Sequence, residues 1–261
     1  MLQATSSRET RDSAREVKFV LPADRAERVL AWARSRLAPD TYGGGPAGDE
    51  YRTTTIYFDT ETRAVYERQG SYGRSKYRLR RYGTSDIVFL ERKMRTSTRL
   101  SKRRTAIAAR EVEAQLTSGQ AADPAIRWFV DRLRVRRLIP VCQVTYRRHA
   151  LVGLSPNGPM RLTVDYDLTA QPNRTRVFVD GEGVPVIPGF AILEMKFCVD
   201  SPAVFRQIVT DFQLSAAPVS KYRLAGDALD ALEAASRHEE RTRQSRPGDG
   251  HATDLTGYAN A

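Results

Sequence analysis

The sequence predicts an α+β fold, an antiparallel sheet or barrel with appended helices, its charged strand faces able to line the inside of a closed barrel. Three observations lead there. Segments with strand periodicity often follow one another directly, whereas a doubly wound parallel sheet needs strict strand–helix alternation. In nearly every such segment the charges fall two residues apart, hence on one face. The opposite faces are apolar and need cover, which the helical segments can supply.

Taken in order, Met1–Ser13 is polar and aperiodic, so residues 1–13 read as a disordered tail with no secretory signal. The body, 14–236, opens with a strand at 15–20 carrying Glu16 and Lys18 on one face. A helix at 22–37 follows, with Pro22 at its start and Ala26, Val29, Leu30, Ala33 and Leu37 as its stripe. Thr41–Gly48 is a glycine-rich loop. A strand at 52–58 precedes a helix at 61–69, with Tyr57 and Phe58 assigned to the core. Strands at 75–82, 86–93 and 102–108 present Lys76, Arg78 and Arg80; Phe89, Glu91 and Lys93; and Lys102 and Arg104. Helices at 110–117 and 123–137 come next, the second marked by Pro124, Ile126, Phe129, Val130 and Leu133. Strands at 141–150, 160–166, 174–180 and 190–198 follow. In the last three, Arg161, Thr163 and Asp165 oppose Leu162 and Val164; Arg174 and Arg176 oppose Val177 and Val179; Glu194 and Lys196 oppose Leu193, Met195 and Phe197. Helices at 202–213 and 223–236 end the body, and the polar stretch 237–261 reads as a second disordered tail.

With 42 Lys and Arg against 31 acids, the net charge of +11 calls for a polyanionic partner. Two cysteines rule out a disulfide scaffold and point to a reducing, cytoplasmic setting; Cys142 and Cys198 read as small buried residues. No stretch is long and apolar enough for a spanning helix. The plain alternative for any one strand is a solvated face. Three features of the set argue against it. The polar faces are mostly basic. Glu-x-Lys recurs at Glu16/Lys18, Glu91/Lys93 and Glu194/Lys196. All six lysines, in a chain with 36 arginines, lie on these faces or in the Ser-Lys-Tyr triplet at 220–222. A compact ammonium suits a phosphate oxygen. Carboxylates among such cations suit a divalent metal, Mg²⁺ or Mn²⁺, that bridges phosphate oxygens.

Nine segments in order then resemble the VTC polyphosphate polymerase domain, a branch of the triphosphate tunnel metalloenzymes, and the resemblance implies a closed antiparallel β-barrel of about eight strands forming a basic tunnel, with helices packed outside. The segments are REVKFVLP (15–22), TTIYFDT (54–60), KYRLRRY (76–82), FLERK (89–93), SKRR (101–104), VTYRRHAL (144–151), RLTVD (161–165), ILEMKF (192–197) and VSKY (219–222). The resemblance implies that Arg78, Arg80, Lys93, Lys102, Arg148 and Arg161 act as catalytic phosphate ligands. It implies further phosphate contacts from Lys18, Lys76, Arg104, Tyr146, Lys196 and Lys221, and metal ligation led by Glu194, with Glu91 and Glu16. One departure stands out: the superfamily often begins Glu-x-Glu-x-Lys, and here Ala14 takes the first position. Eukaryotic polymerase assemblies also carry an SPX-type domain and membrane helices; neither is in this sequence, which leaves room for a membrane-protein partner encoded separately.

The implied reaction is transfer of the γ-phosphoryl group of ATP to pyrophosphate or a growing inorganic polyphosphate chain, with charge stabilised by the basic side chains. Water as acceptor would make the same site a triphosphatase or polyphosphatase. A non-catalytic polyanion binder is the alternative from another class. Nucleic acid is disfavoured as its ligand, because the aromatic residues, 8% of the chain, do not line the basic face in this reading. The run Arg132–Arg137 reads as a solvated helix end, and Arg92–Arg104 as a hairpin at the tunnel mouth.

Overall fold

The computed structural model describes residues 5–11, 14–95, 100–117 and 123–244. The strands are β1 (Thr5–Arg11), β2 (Ala14–Pro22), β3 (Ala38–Pro39), β4 (Glu50–Asp59), β5 (Ser75–Tyr82), β6 (Ile87–Arg95), β7 (Leu100–Ala108), β8 (Ile139–Ser155), β9 (Gly158–Pro172), β10 (Val184–Pro185) and β11 (Phe190–Cys198). The helices are α1 (Ala23–Arg34), α2 (Val112–Thr117), α3 (Pro124–Val135), α4 (Ala203–Asp211) and α5 (Lys221–Gln244). One antiparallel sheet runs β1-β7-β6-β5-β4-β8-β9-β11-β2, with β3 and β10 as short additions.

The period-two pattern sorts the side chains as the sequence implies. Outward residues of β2, β9 and β11, among them Phe19, Leu162 and Leu193, form one buried cluster with Ala26, Val29 and Leu30 of α1 and Phe205 and Ile208 of α4. Outward residues of β4, β5 and β6, among them Ile56, Leu79 and Leu90, form a second with Ile126, Phe129 and Leu133 of α3. Burial of this apolar area is the main drive toward the fold. The Asp123 side chain caps α3, accepting from the Ala125 amide at 2.7 Å.

The charged face is concave. Glu16 on the edge strand β2 lies 2.7 Å from Lys93 on β6, third from the other edge. The sheet therefore curls almost upon itself. Its ladder is nevertheless open, with β1 and β2 as edges, so the closed barrel expected from sequence is not closed by backbone hydrogen bonds. The two edges are consecutive in sequence; β1 pairs with β7 while β2 pairs with β11.

Four expectations change. Residues 5–11, read as tail, form β1, because an edge pairing needs backbone groups rather than an apolar stripe. α5 continues to Gln244, past the 236 boundary; of the two expected tails, residues 1–4, 12–13 and 245–261 lie outside the described residues. Residues 61–69 are turns rather than a helix. The Asp59 carboxylate accepts from the Thr60, Val65 and Tyr66 amides, and Arg63 and Arg68 have positive φ. Residues 174–180 form no strand, because side chains satisfy their backbone instead. Asn173 bonds the Thr175 amide and the Val177 carbonyl, and Gln143 bonds both backbone groups of Val179.

Among the described residues no helix is long and apolar enough to cross a membrane.

Candidate functional site

Three carboxylate-centred clusters occupy the concave face. In the first, the registers of β5, β6 and β7 set Arg78, Glu91 and Arg104 side by side. Glu91 is fully buried and accepts from Arg78 Nε at 2.7 Å and Arg104 Nε at 2.8 Å. Lys102 Nζ stands at 3.3 Å and Arg80 Nη1 at 4.0 Å. Burial alone would raise the Glu91 pKa, but Arg78, Arg80, Lys102 and Arg104 hold it well below the usual carboxylate range.

In the second, Arg148 and Asp165 face each other across β8 and β9. Their pair is bidentate, at 2.6 and 2.8 Å, and Lys221 Nζ reaches the same carboxylate at 2.5 Å. Burial opposes ionisation of Asp165, yet Arg148 and Lys221 bring its pKa down to about 2. The same two cations lie 5.2 and 5.0 Å from the Tyr146 ring centre.

The third cluster joins β2, β6 and β11. Glu16 accepts from Lys93 at 2.7 and 2.8 Å and pairs with Lys18 at 3.0 Å. Glu194 pairs with Lys196 at 2.7 Å and with Lys18 at 3.4 Å. The two carboxylates repel one another and burial disfavours both charges, but Lys93, Lys196 and Lys18 keep Glu16 ionised, at about 2. Glu194 is likewise held well below its ordinary value against burial, by Lys196, Lys18 and Lys93.

Lys76 differs from the other five lysines. Its Nζ donates to Ser220 Oγ at 2.6 Å, and no carboxylate pairs with it among the described residues. Burial, then the charges of Lys18, Lys93, Arg78 and Arg223, lower its pKa to about 7. Nearby, the hydroxyls of Thr53, Tyr146 and Thr163 are buried on the charged face without a protein hydrogen-bond partner. Orphaned donors beside fixed cations suit phosphate oxygens. Arg161 pairs with Asp40 at 2.6 Å and donates to the Tyr51 hydroxyl at 2.6 Å.

Every residue given a catalytic, phosphate-binding or metal-binding role from sequence is thus on or against the concave face, but the groupings differ; Arg174 and Arg176, read as a further charged strand face, are not on it. Glu91 stands apart from Glu16 and Glu194 and is taken up by four cations. Among the described residues no three His, Cys, Asp or Glu side chains converge as a metal site. Asp165 and Ser220 were not assigned from sequence. Period-two alternation puts Asp165 on the face of Arg161 and Thr163 without giving it a role; Ser220 follows only from the position of α5. The expectation about aromatic residues is corrected, since Tyr51, Tyr82 and Phe89 share the face of Thr53, Arg80 and Glu91 by strand parity.

Comparison with known proteins places this geometry in context. The VTC domain family profile matches residues 13–229. No curated protein sequence matches significantly. Among solved structures, a Bacillus halodurans protein described as a candidate adenylate cyclase is similar with TM-score 0.51 and 15% identity, over 81% of this chain and 95% of its own. A Hippeastrum candidate adenylyl cyclase, described as having a dominant triphosphatase activity, has TM-score 0.49 and 15% identity, over 82% of this chain and 95% of its own. At 15% identity the likeness to the Bacillus halodurans protein is one of fold.

Proposed function

This chain belongs to the VTC domain family, and on that footing we propose that it is a metal-dependent polyphosphate polymerase, transferring the γ-phosphoryl group of ATP to pyrophosphate or inorganic polyphosphate. The observation that carries this reading is the set of buried cations beside orphaned hydroxyls on one concave face. Glu91 and Asp165 lock Arg78, Arg104, Arg148 and Lys221 in place before substrate arrives, so little reorganisation is needed as charge develops. The acceptor's terminal oxygen attacks the γ-phosphorus, the bond to the β,γ-bridging oxygen breaks, and ADP leaves with that electron pair. Arg78, Arg80, Arg148 and Lys221 hold the phosphates in line, and the Tyr146 hydroxyl donates to one of them. No protein nucleophile is required.

The donor chemistry fits a divalent cation. Glu16 and Glu194 are adjacent, ionised and mutually repelling hard oxygen ligands. Two carboxylates fill only part of the shell of Mn²⁺ or Mg²⁺, leaving positions for phosphate oxygens and water. When bound, the ion would neutralise phosphate charge. We place the protein in the cytoplasm, with room for a membrane-protein partner.

The test uses purified protein, ATP and Mn²⁺, with and without pyrophosphate, beside Glu194→Gln. A polyphosphate ladder with ADP that vanishes in the variant is expected. ADP with free phosphate and no ladder would replace the polymerase by a triphosphatase. Salt-sensitive polyphosphate binding without turnover in wild type would replace it by a binding protein.

A further inference from the structure

A cluster of three aromatic rings interrupts the charges on the concave face. Tyr51 of β4 and Tyr82 of β5 meet edge to face, centroids 5.5 Å apart, and Tyr82 and Phe89 of β6 are 5.6 Å apart. All three are half-buried. Their positions are fixed from both sides. Arg104 donates to the Tyr82 hydroxyl at 2.7 Å and its Cζ lies 4.0 Å over Phe89, while Arg161 holds the Tyr51 hydroxyl. The helices that bury the outer surface do not explain this patch, for it faces the other way, among the phosphate-binding groups.

We propose that Tyr51, Tyr82 and Phe89 form the seat for the base of a nucleoside triphosphate. The inference deepens the phosphoryl-transfer reading above and rests on it. Along β5, Arg80 and Arg78 stand two and four residues from Tyr82, roughly 7 and 13 Å. A base on the rings therefore leads its phosphates past Arg104 and Arg80 toward Arg78 and the Glu91 cluster. A base ring stacks on such a surface whatever its identity, and the nearby arginines add cation–π attraction. The rings form one compact patch and not a row of successive platforms, which favours a single nucleotide over a nucleic-acid strand.

The test compares ATP with inorganic tripolyphosphate by calorimetry, at equal ionic strength, in wild type, Tyr82→Leu and Tyr82→Phe. Removing the ring should cut the ATP-to-tripolyphosphate affinity ratio about tenfold, whereas Tyr82→Phe should keep it within about twofold. Should Tyr82→Leu fail to fold, Phe89→Leu is measured against the same expectation. A ratio unchanged in the ring-deleted variant, or a wild type that gains nothing from the nucleoside, overturns the proposal and leaves phosphate binding intact. Tighter binding of an oligonucleotide lacking a triphosphate overturns it in favour of strand binding. Wild type that binds neither ATP nor tripolyphosphate refutes the phosphate-binding reading itself, and the seat with it.

Discussion

Glu91→Gln separates two roles for one carboxylate. The sequence grouped Glu91 with the metal ligands, whereas its contacts make it the counter-charge of Arg78, Arg104 and Lys102. The amide keeps the shape and removes the charge. Breaking a buried ion pair from one side costs about 3–5 kcal/mol, because the partner charge stays behind unpaired. Here Lys102 and Arg104 keep 35% and 26% of their side chains exposed, so water screens part of the loss. We therefore expect about 3 kcal/mol, which for a domain of this size lowers Tm by roughly 6–12 °C. Differential scanning fluorimetry in EDTA, with and without tripolyphosphate, measures this. Tripolyphosphate should raise Tm more in the variant than in wild type, since it restores the missing negative charge. A variant as stable as wild type in EDTA, or a loss seen only when divalent metal is present, would refute the counter-charge role.

Lys76 carries a signed pH prediction. Its folded pKa of about 7 lies below the ordinary lysine value, so between these pH limits the unfolded chain binds more protons and stability from this site grows with rising pH. A bound polyanion restores the proton; at pH 8, tripolyphosphate binding should take up close to one proton more in wild type than in Lys76→Gln, read by calorimetry in buffers of different ionisation heat. Equal uptake would remove Lys76 from the site. Gly226→Ala tests the packing of α5: a Cβ there would lie 2.6 and 2.9 Å from Tyr66 ring carbons, a ring held by Arg63 at 3.9 Å. Overpacking of about 1–3 kcal/mol should exceed the roughly 1 kcal/mol gained in helix propensity, so thermal denaturation should show a small fall in Tm and not a rise.

Much of the site was legible because strand parity is a strict rule. Once Lys76, Arg78 and Arg80 share a face, their common exposure to the cavity follows, and so does the apolar backing of Tyr77 and Leu79. Lysine placement was the sharpest clue: five of the six pair with carboxylates on this face, and the sixth meets Ser220. What sequence could not show was which carboxylate meets which cation, since Glu16 and Lys93 are brought together by the curl of the whole sheet. The misassigned segments share a cause as well. At 61–69 and 174–180, buried Asp59, Asn173 and Gln143 bond the local backbone and override helix or strand periodicity. Tyr82 and Phe89 sit in ordinary strand positions, and their approach to Tyr51 needed the register of β4, β5 and β6.

α5 also bounds the cavity in which the proposed polymerisation would run. Tyr222 and Ala225 join Tyr57, Val144, Tyr146 and Ile192 in one buried apolar cluster, and the Tyr222 hydroxyl donates to Asp59 at 2.5 Å. By strand parity the four sheet residues lie on the charged side, so α5 lays an apolar wall against part of that face. A phosphate chain, charged at every unit, has no path through such a wall. Lys93, Lys102 and Lys196, by contrast, keep 32%, 35% and 45% of their side chains in solvent, near where the ladder is open. A lengthening product would then back out past these lysines after each addition and trade one set of ion contacts for the next. Product length would become a contest between grip and slippage, with the seating of α5 deciding whether the chain can ever advance in the other direction.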